Sequence, residues 1–235
     1  MRIRALFISA SLLAFAAPVY AQAADSESPQ TVVSSGFVPV VTVELASGYL
    51  IQSPNYLVTD EPVIQTNVFV PLTDDLFVGL LHTTELSNAG LFDKASDKID
   101  VTFGGNIERG AYTLRARTSW YATPGSRNDI VLVEGGVSRA FAEWIGSVSI
   151  EFQNFGGGVD NAAILHMGAS RVVPLFGQDF TLDAGVHQFD EGYRTYTGTI
   201  TTYFEVNGVT LRPRIRFSAA NEGDSNITFG IAHTF

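Results

Sequence analysis

The sequence predicts an all-β fold: one antiparallel transmembrane β-barrel of twelve strands, with ten or fourteen as the alternatives. Three observations predict it. Charged residues make up only 16% of the chain while 11% are aromatic, against about 25% charged in soluble domains. No stretch after the N-terminal leader approaches the roughly 18 apolar residues that a spanning helix needs. From Val40 onward, short segments alternate bulky apolar with small polar residues, the two-residue period of strands, and none has a helical period.

The N-terminus stands apart. Residues 1–23 read as a signal peptide, with Arg2 and Arg4 before the apolar run Ala5 to Ala17 and an A-x-A site at Ala21-Gln22-Ala23. Losing both arginines with the leader takes the formal charge from −10 to −12. So acidic a chain is not a nucleic-acid binder, which needs a basic surface. Residues 24–39 mix Ser, Asp, Glu, Pro and Gln and read as a flexible periplasmic lead-in, leaving 40–235 as the barrel. The chain has no cysteine, which excludes disulfides, a lipid-anchored cysteine and thiolate metal sites.

The segments follow in order. Residues 40–50 carry Glu44 and end on Tyr49; 61–71 and 75–86 come next, joined by a short turn at 71–74. Residues 97–107 carry Asp100. Residues 111–121 hold Arg115 and Arg117 between Tyr112 and the pair Trp120-Tyr121. Glu134 lies in 129–140, while Trp144, Glu151 and Phe152 lie in 144–155. After 161–173 comes 179–189, with Phe180 and Asp183. Residues 194–206 oppose Tyr196, Ile200, Phe204 and Val206 to a row of threonines and Glu205. Residues 209–219 set Val209, Leu211, Ile215 and Phe217 against Arg212, Arg214 and Arg216. Residues 225–235 close the chain with Ile227, Phe229, Ile231, His233 and Phe235 on one face. Short turns alternate with mostly longer loops, the asymmetry of outer-membrane barrels, whose turns are periplasmic.

Alternation alone does not say which face meets water. Near-absence of lysine (only Lys94 and Lys98) and aromatics gathered near strand ends favour an apolar face turned to lipid and a polar face turned to a lumen. The inward acids are then Glu44, Asp100, Glu134, Glu151, Asp183 and Glu205, and the inward bases Arg115, Arg117, Arg212, Arg214 and Arg216. Similar numbers of both signs predict ion-paired ladders, since unpaired buried charge is very costly. Such a barrel is narrow and suits passive diffusion of small solutes. The alternatives are a non-conducting structural or surface-interaction barrel and an outer-membrane lipid hydrolase.

The ending Ile227-x-Phe229-x-Ile231-x-His233-x-Phe235 resembles the C-terminal signature of Gram-negative outer-membrane proteins. That resemblance implies Phe229, Ile231 and Phe235 as the signal read by the barrel-assembly machinery. Ala46-Ser47-Gly48-Tyr49-Leu50-Ile51 and Asp60-Glu61-Pro62-Val63-Ile64-Gln65 resemble the opening of the TorF-type porin family, with Asp97 to Gly105 and Glu134-Gly135-Gly136 in matching places. Gln52-Ser53 departs from the Arg-Gly often found after that tyrosine. Spanning about residues 40–140, this resemblance implies an outer-membrane barrel with a channel role and no catalytic residues. Lipid and lipopolysaccharide are the surroundings such a barrel meets.

The remaining chemistry is sparse. His82, His166, His187 and His233 have no metal-ligand spacing, so no metal or cofactor is expected. His82 and His166 are placed on the outward face, where a hydrolase would need them, but no Gly-x-Ser-x-Gly elbow accompanies them. Asp74-Asp75 reads as turn chemistry. Asp60, Glu61, Asp93 and Asp97 read as solvated loop charges, with cation bridging to lipopolysaccharide as the alternative.

Overall fold

The structure, a computed structural model, describes residues 38–51, 56–87, 97–122, 129–155, 162–189 and 192–235. The signal peptide, nearly all of the lead-in, Asp93 and the glycines 156–158 lie outside them.

Alternating sequence becomes strand almost wherever it occurs. The strands are β1 (Val40–Ala46), β2 (Tyr49–Ile51), β3 (Tyr56–Thr59), β4 (Val63–Pro71), β5 (Leu76–Glu85), β6 (Lys98–Arg109), β7 (Tyr112–Ala122) and β8 (Ile130–Phe141). They continue as β9 (Trp144–Phe155), β10 (Ala162–Leu175), β11 (Gln178–Phe189), β12 (Arg194–Thr202), β13 (Phe204–Val206), β14 (Val209–Ala220) and β15 (Ser225–Thr234). Sheet neighbours run from β12 back through β4, then to β1, β15 and β14, and a β12–β14 pairing closes the ring. The result is a closed antiparallel barrel of 12 strands. Closure leaves the twelve barrel strands without a free edge, which is what lets a sheet cross lipid.

Two expected strands are divided. The first ends at Ala46, and Tyr49–Ile51 belongs to a separate two-stranded hairpin with Tyr56–Thr59. The strand expected over 194–206 is interrupted at Tyr203, beyond which β13 pairs only with β14.

Short turns gather at one end. Asn207-Gly208 and Phe176-Gly177 both take positive φ at the two central positions (53° and 80°, 53° and 76°), the backbone that matches the twist of a tight hairpin. At the Asp74-Asp75 turn the capping group is Thr73, whose hydroxyl oxygen accepts from the amides of Asp75 and Leu76 at 3.2 and 3.0 Å.

Polarity is inverted relative to a soluble barrel. Leu45, Phe103, Val133, Ile150, Phe152, Ile200, Ile227 and Phe229 are exposed, whereas Glu44, Asp100, Arg117, Glu134, Glu151 and Arg216 are buried. One-residue alternation accounts for this, because successive side chains leave opposite faces of a strand.

Candidate functional site

The inward face is organised around two arginine clusters. In the ring order, β7 and β14 are separated by five strands on either side. Arg115 and Arg117 therefore face the Arg212–Arg216 row across the lumen. Sequence placed both sets inward but left their relative position open.

From β7 a belt of polar side chains crosses six consecutive strands. Arg115 Nη2 donates to Glu134 Oε1 at 2.7 Å and Arg117 Nε to Glu134 Oε2 at 2.5 Å. Arg117 Nη2 lies 3.9 Å from Glu151 Oε2, and His166 Nε2 lies 3.6 Å from the same oxygen. The Nδ1 atoms of His166 and His187 are in hydrogen-bond contact at 2.5 Å, with ring centres 4.8 Å apart. His187 Nε2 then lies 3.1 Å from the Thr197 hydroxyl. Such charge-assisted contacts are what makes buried charge tolerable.

The second cluster sits at the barrel seam. Glu44 on β1 accepts from Arg214 Nε at 2.9 Å, from Arg214 Nη2, and from Arg216 Nη2 at 2.7 Å. These contacts pass over β15 at Gly230, where a Cβ would run into the Glu44 carboxylate. One carboxylate thus serves two arginines, and Arg212 continues the row.

A third cluster forms in the long-loop half. Lys98 Nζ lies 3.2 Å from Asp100 Oδ2, donates to the Tyr49 hydroxyl at 3.2 Å and stands 4.2 Å from the centre of the Tyr121 ring. Tyr49 and Tyr121 were expected in the outward aromatic girdle; both are buried inside the barrel. Tyr121 shares the inward parity of Arg115 and Arg117, and Tyr49 is carried inward by the β2–β3 hairpin.

Below the belt, towards the short turns, lies a cavity of about 160 Å³. Arg115, Arg117, Ser149, His166, Asp183 and His187 line its inner part, and Asn106, Thr113 and Ser138 line it nearer the turns. Arg117 Nη2 and His166 Nε2 are buried there without a hydrogen bond.

Three further expected placements change. His166 points inward, because the even residues of β10 share the inward parity. Asp97 is fully buried and accepts from Thr84 Oγ1 at 2.7 Å, so it is no solvated loop charge. Glu205 is exposed in the short β13 hairpin at the rim, beyond the barrel wall. Sequence reading also missed the His166–His187 contact; its only signal was that both residues lie equidistant from the Phe176-Gly177 turn. Of the C-terminal residues, Phe229, Ile231 and Phe235 face outward, 57%, 37% and 73% exposed. His233, which replaces the commoner Tyr or aliphatic residue, donates from Nδ1 to the Thr210 carbonyl at 2.8 Å. Among the described residues no cluster of three His, Asp or Glu is arranged to hold a metal ion.

No family model matches the chain, and no curated protein matches it. Solved structures do. The KdgM porin in complex with disordered oligogalacturonate superposes with a TM-score of 0.58 at 7% identity, over 84% of this chain and 99% of that one. The fold is that of outer-membrane channel barrels. The NanC porin gives 0.53 at 9% identity over 84% and 99% of the two chains. The COG4313 outer membrane channel from Pseudomonas putida F1 gives 0.52 at 11% identity over 88% and 98%. At these identities the likeness is one of fold.

Proposed function

We propose that this protein is a porin-like channel of a Gram-negative outer membrane, passing small solutes passively through a narrow lumen lined by Arg and Asp/Glu. The observation that carries the proposal is the cavity on the inward face, lined by Arg115, Arg117, His166, Asp183 and His187 inside a barrel whose outer face is apolar. A cavity lined by so many polar and charged groups suits water and small polar solutes and not an apolar filling. The lipid-turned apolar face, the channel barrels of like fold and the TorF-type resemblance over residues 40–140 support the same reading. Binding of oligogalacturonate by KdgM makes polar or charged small molecules sensible first solutes. Export by the signal peptide, recognition of Phe229, Ile231 and Phe235 by the assembly machinery, and lipopolysaccharide around the long loops complete the proposal.

The lumen works by size exclusion and by the field of its charges. On the seam side Glu44 pairs with Arg214 and Arg216 and Arg212 extends the row beyond it, whereas Arg115 and Arg117 are matched by Glu134 and Glu151. The seam wall therefore carries the uncompensated positive charge. Single-channel recording in planar bilayers tests this. Discrete conductance steps are expected, and Arg212→Gln should move the zero-current potential in a salt gradient towards cation preference. Steps with an unchanged potential would remove Arg212 from the pore wall.

A second reading is a barrel that conducts nothing. Fully buried Tyr121, Leu132, Ile164 and Gln153 favour it, because they fill the long-loop half. Silence of the purified protein in the same bilayers would select it.

A further inference from the structure

Outside the lumen, one arc of the lipid-facing surface carries charge. At the short-turn end of β6 to β10, Arg109, Arg139 and Arg171 leave the outward face of their strands, on the same parity as exposed Ile107, Val137 and Met167. Arg139 stacks over the Tyr112 ring at 5.1 Å and Arg171 over the Trp144 ring at 5.4 Å. Tyr112 is the register partner of both Arg109 and Arg139, and Trp144 of Arg171, so the groups form one row across neighbouring strands. Around the rest of the circumference this end presents no outward Lys or Arg among the described residues; Phe204, Val206, Val209 and Phe235 stand there instead.

We propose that this arc is a binding site for the phosphate groups of anionic phospholipid in the leaflet at the short-turn end. Several features point to a phosphate and not to bulk lipid. Outward arginine is costly in hydrocarbon, but Arg109 and Arg139 lie within three residues of a turn and Arg171 pairs with Trp144, the residue after a turn, so each guanidinium reaches the headgroup level. Arg139 and Arg171 each have an aromatic ring beside the guanidinium, whose planar fork suits bidentate contact with phosphate oxygens. Among the described residues no carboxylate pairs with Arg139, so its charge is open to an outside partner. Arg171 is held by Glu143, whose side chain is 69% exposed, and an exposed pair of this kind is weak enough for a phosphate to displace. Juxtamembrane arginines draw anionic lipid by this same electrostatics. The site depends on the barrel sitting in a membrane and is independent of whether the lumen conducts.

The test uses the full-length mature protein reconstituted in nanodiscs of equal phosphatidylglycerol and phosphatidylcholine, with the lipids that stay bound after detergent release counted by native mass spectrometry. Wild type is expected to retain phosphatidylglycerol in excess. Each of Arg139→Gln and Arg171→Gln should lower the ratio of the two lipids by about fivefold, while Glu143→Gln should raise it. All three positions are on the outside, and an unchanged heat-modifiable gel shift shows that each variant is folded. Equal retention of the two lipids by wild type, or an unchanged ratio in both arginine variants, overturns the proposal. So does a lipid-free dimer, which would assign the arc to a second copy of this chain.

Discussion

Gly230 is a small residue on which a large-scale property depends. It occupies the inward side of β15 at the place where Glu44 reaches from β1 to Arg214 and Arg216 on β14, so the first and last strands are tied by an ion cluster laid over a missing side chain. Gly230→Ala forces the carboxylate away from its arginines. Overpacking alone costs about 1–3 kcal/mol, and an uncompensated buried charge adds to it. The variant is expected to unfold at lower urea concentration when refolded in phospholipid vesicles, and its folded gel band should convert to the unfolded one at lower temperature. Gly135→Ala is the control, since an added Cβ there meets nothing within 4 Å; equal stability of the two variants would dissociate Gly230 from the seam. Glu44 and Arg214 were legible in the sequence as inward charges. Their pairing was not, because it joins residues 170 apart in the chain.

At the scale of the element, strands were legible and departures from them were not. Period-two alternation fixes which face a residue takes, and two-residue turns such as Asn207-Gly208 fix register, so inward placement of Asp100, Arg117, Glu134, Glu151 and Arg216 follows from parity. The β2–β3 hairpin breaks this logic. Tyr49 at a strand end has the same sequence appearance whether it belongs to an outward girdle or is folded inward, and only the turn at Ser47-Gly48 separates the cases. Inside, Lys98 latches it through the Tyr49 hydroxyl and Asp100. Lys98→Met keeps the aliphatic stem and removes the ammonium that bridges Tyr49 and Asp100. In the cysteine-free chain, a Leu50→Cys probe, at a position 5% exposed, should react slowly with a water-soluble maleimide in the wild-type background. With Lys98→Met it should react about tenfold faster or more, since breaking a buried pair costs several kcal/mol, and channel conductance should rise. Equal labelling rates would show that the hairpin is held by something other than Lys98.

For the whole molecule, everything turns on which side of the sheet is solvent. A barrel with the same strands and the same alternation is stable in water if its charged face is outside, so topology alone does not decide between the two. Composition does: charge this scarce cannot cover the outer surface of a soluble barrel, and the structure places much of it within the wall. The outer face around mid-barrel is then a continuous apolar band, to which Val133 (54% exposed, register partner of Phe152) belongs. Val133→Arg distinguishes the environments sharply. In water an exposed Val-to-Arg change on a strand is close to neutral, within about 0.5 kcal/mol. Facing the middle of a bilayer it costs about 2–4 kcal/mol. Equilibrium unfolding from phospholipid vesicles, followed through Trp120 and Trp144 fluorescence, should show a loss of that size for Val133→Arg. Ser138→Arg, on the opposite face and beside the cavity, should lose far less, because its guanidinium reaches water in the lumen. A neutral Val133→Arg would mean that water, not lipid, covers the band, and the membrane reading of the fold would fall with it.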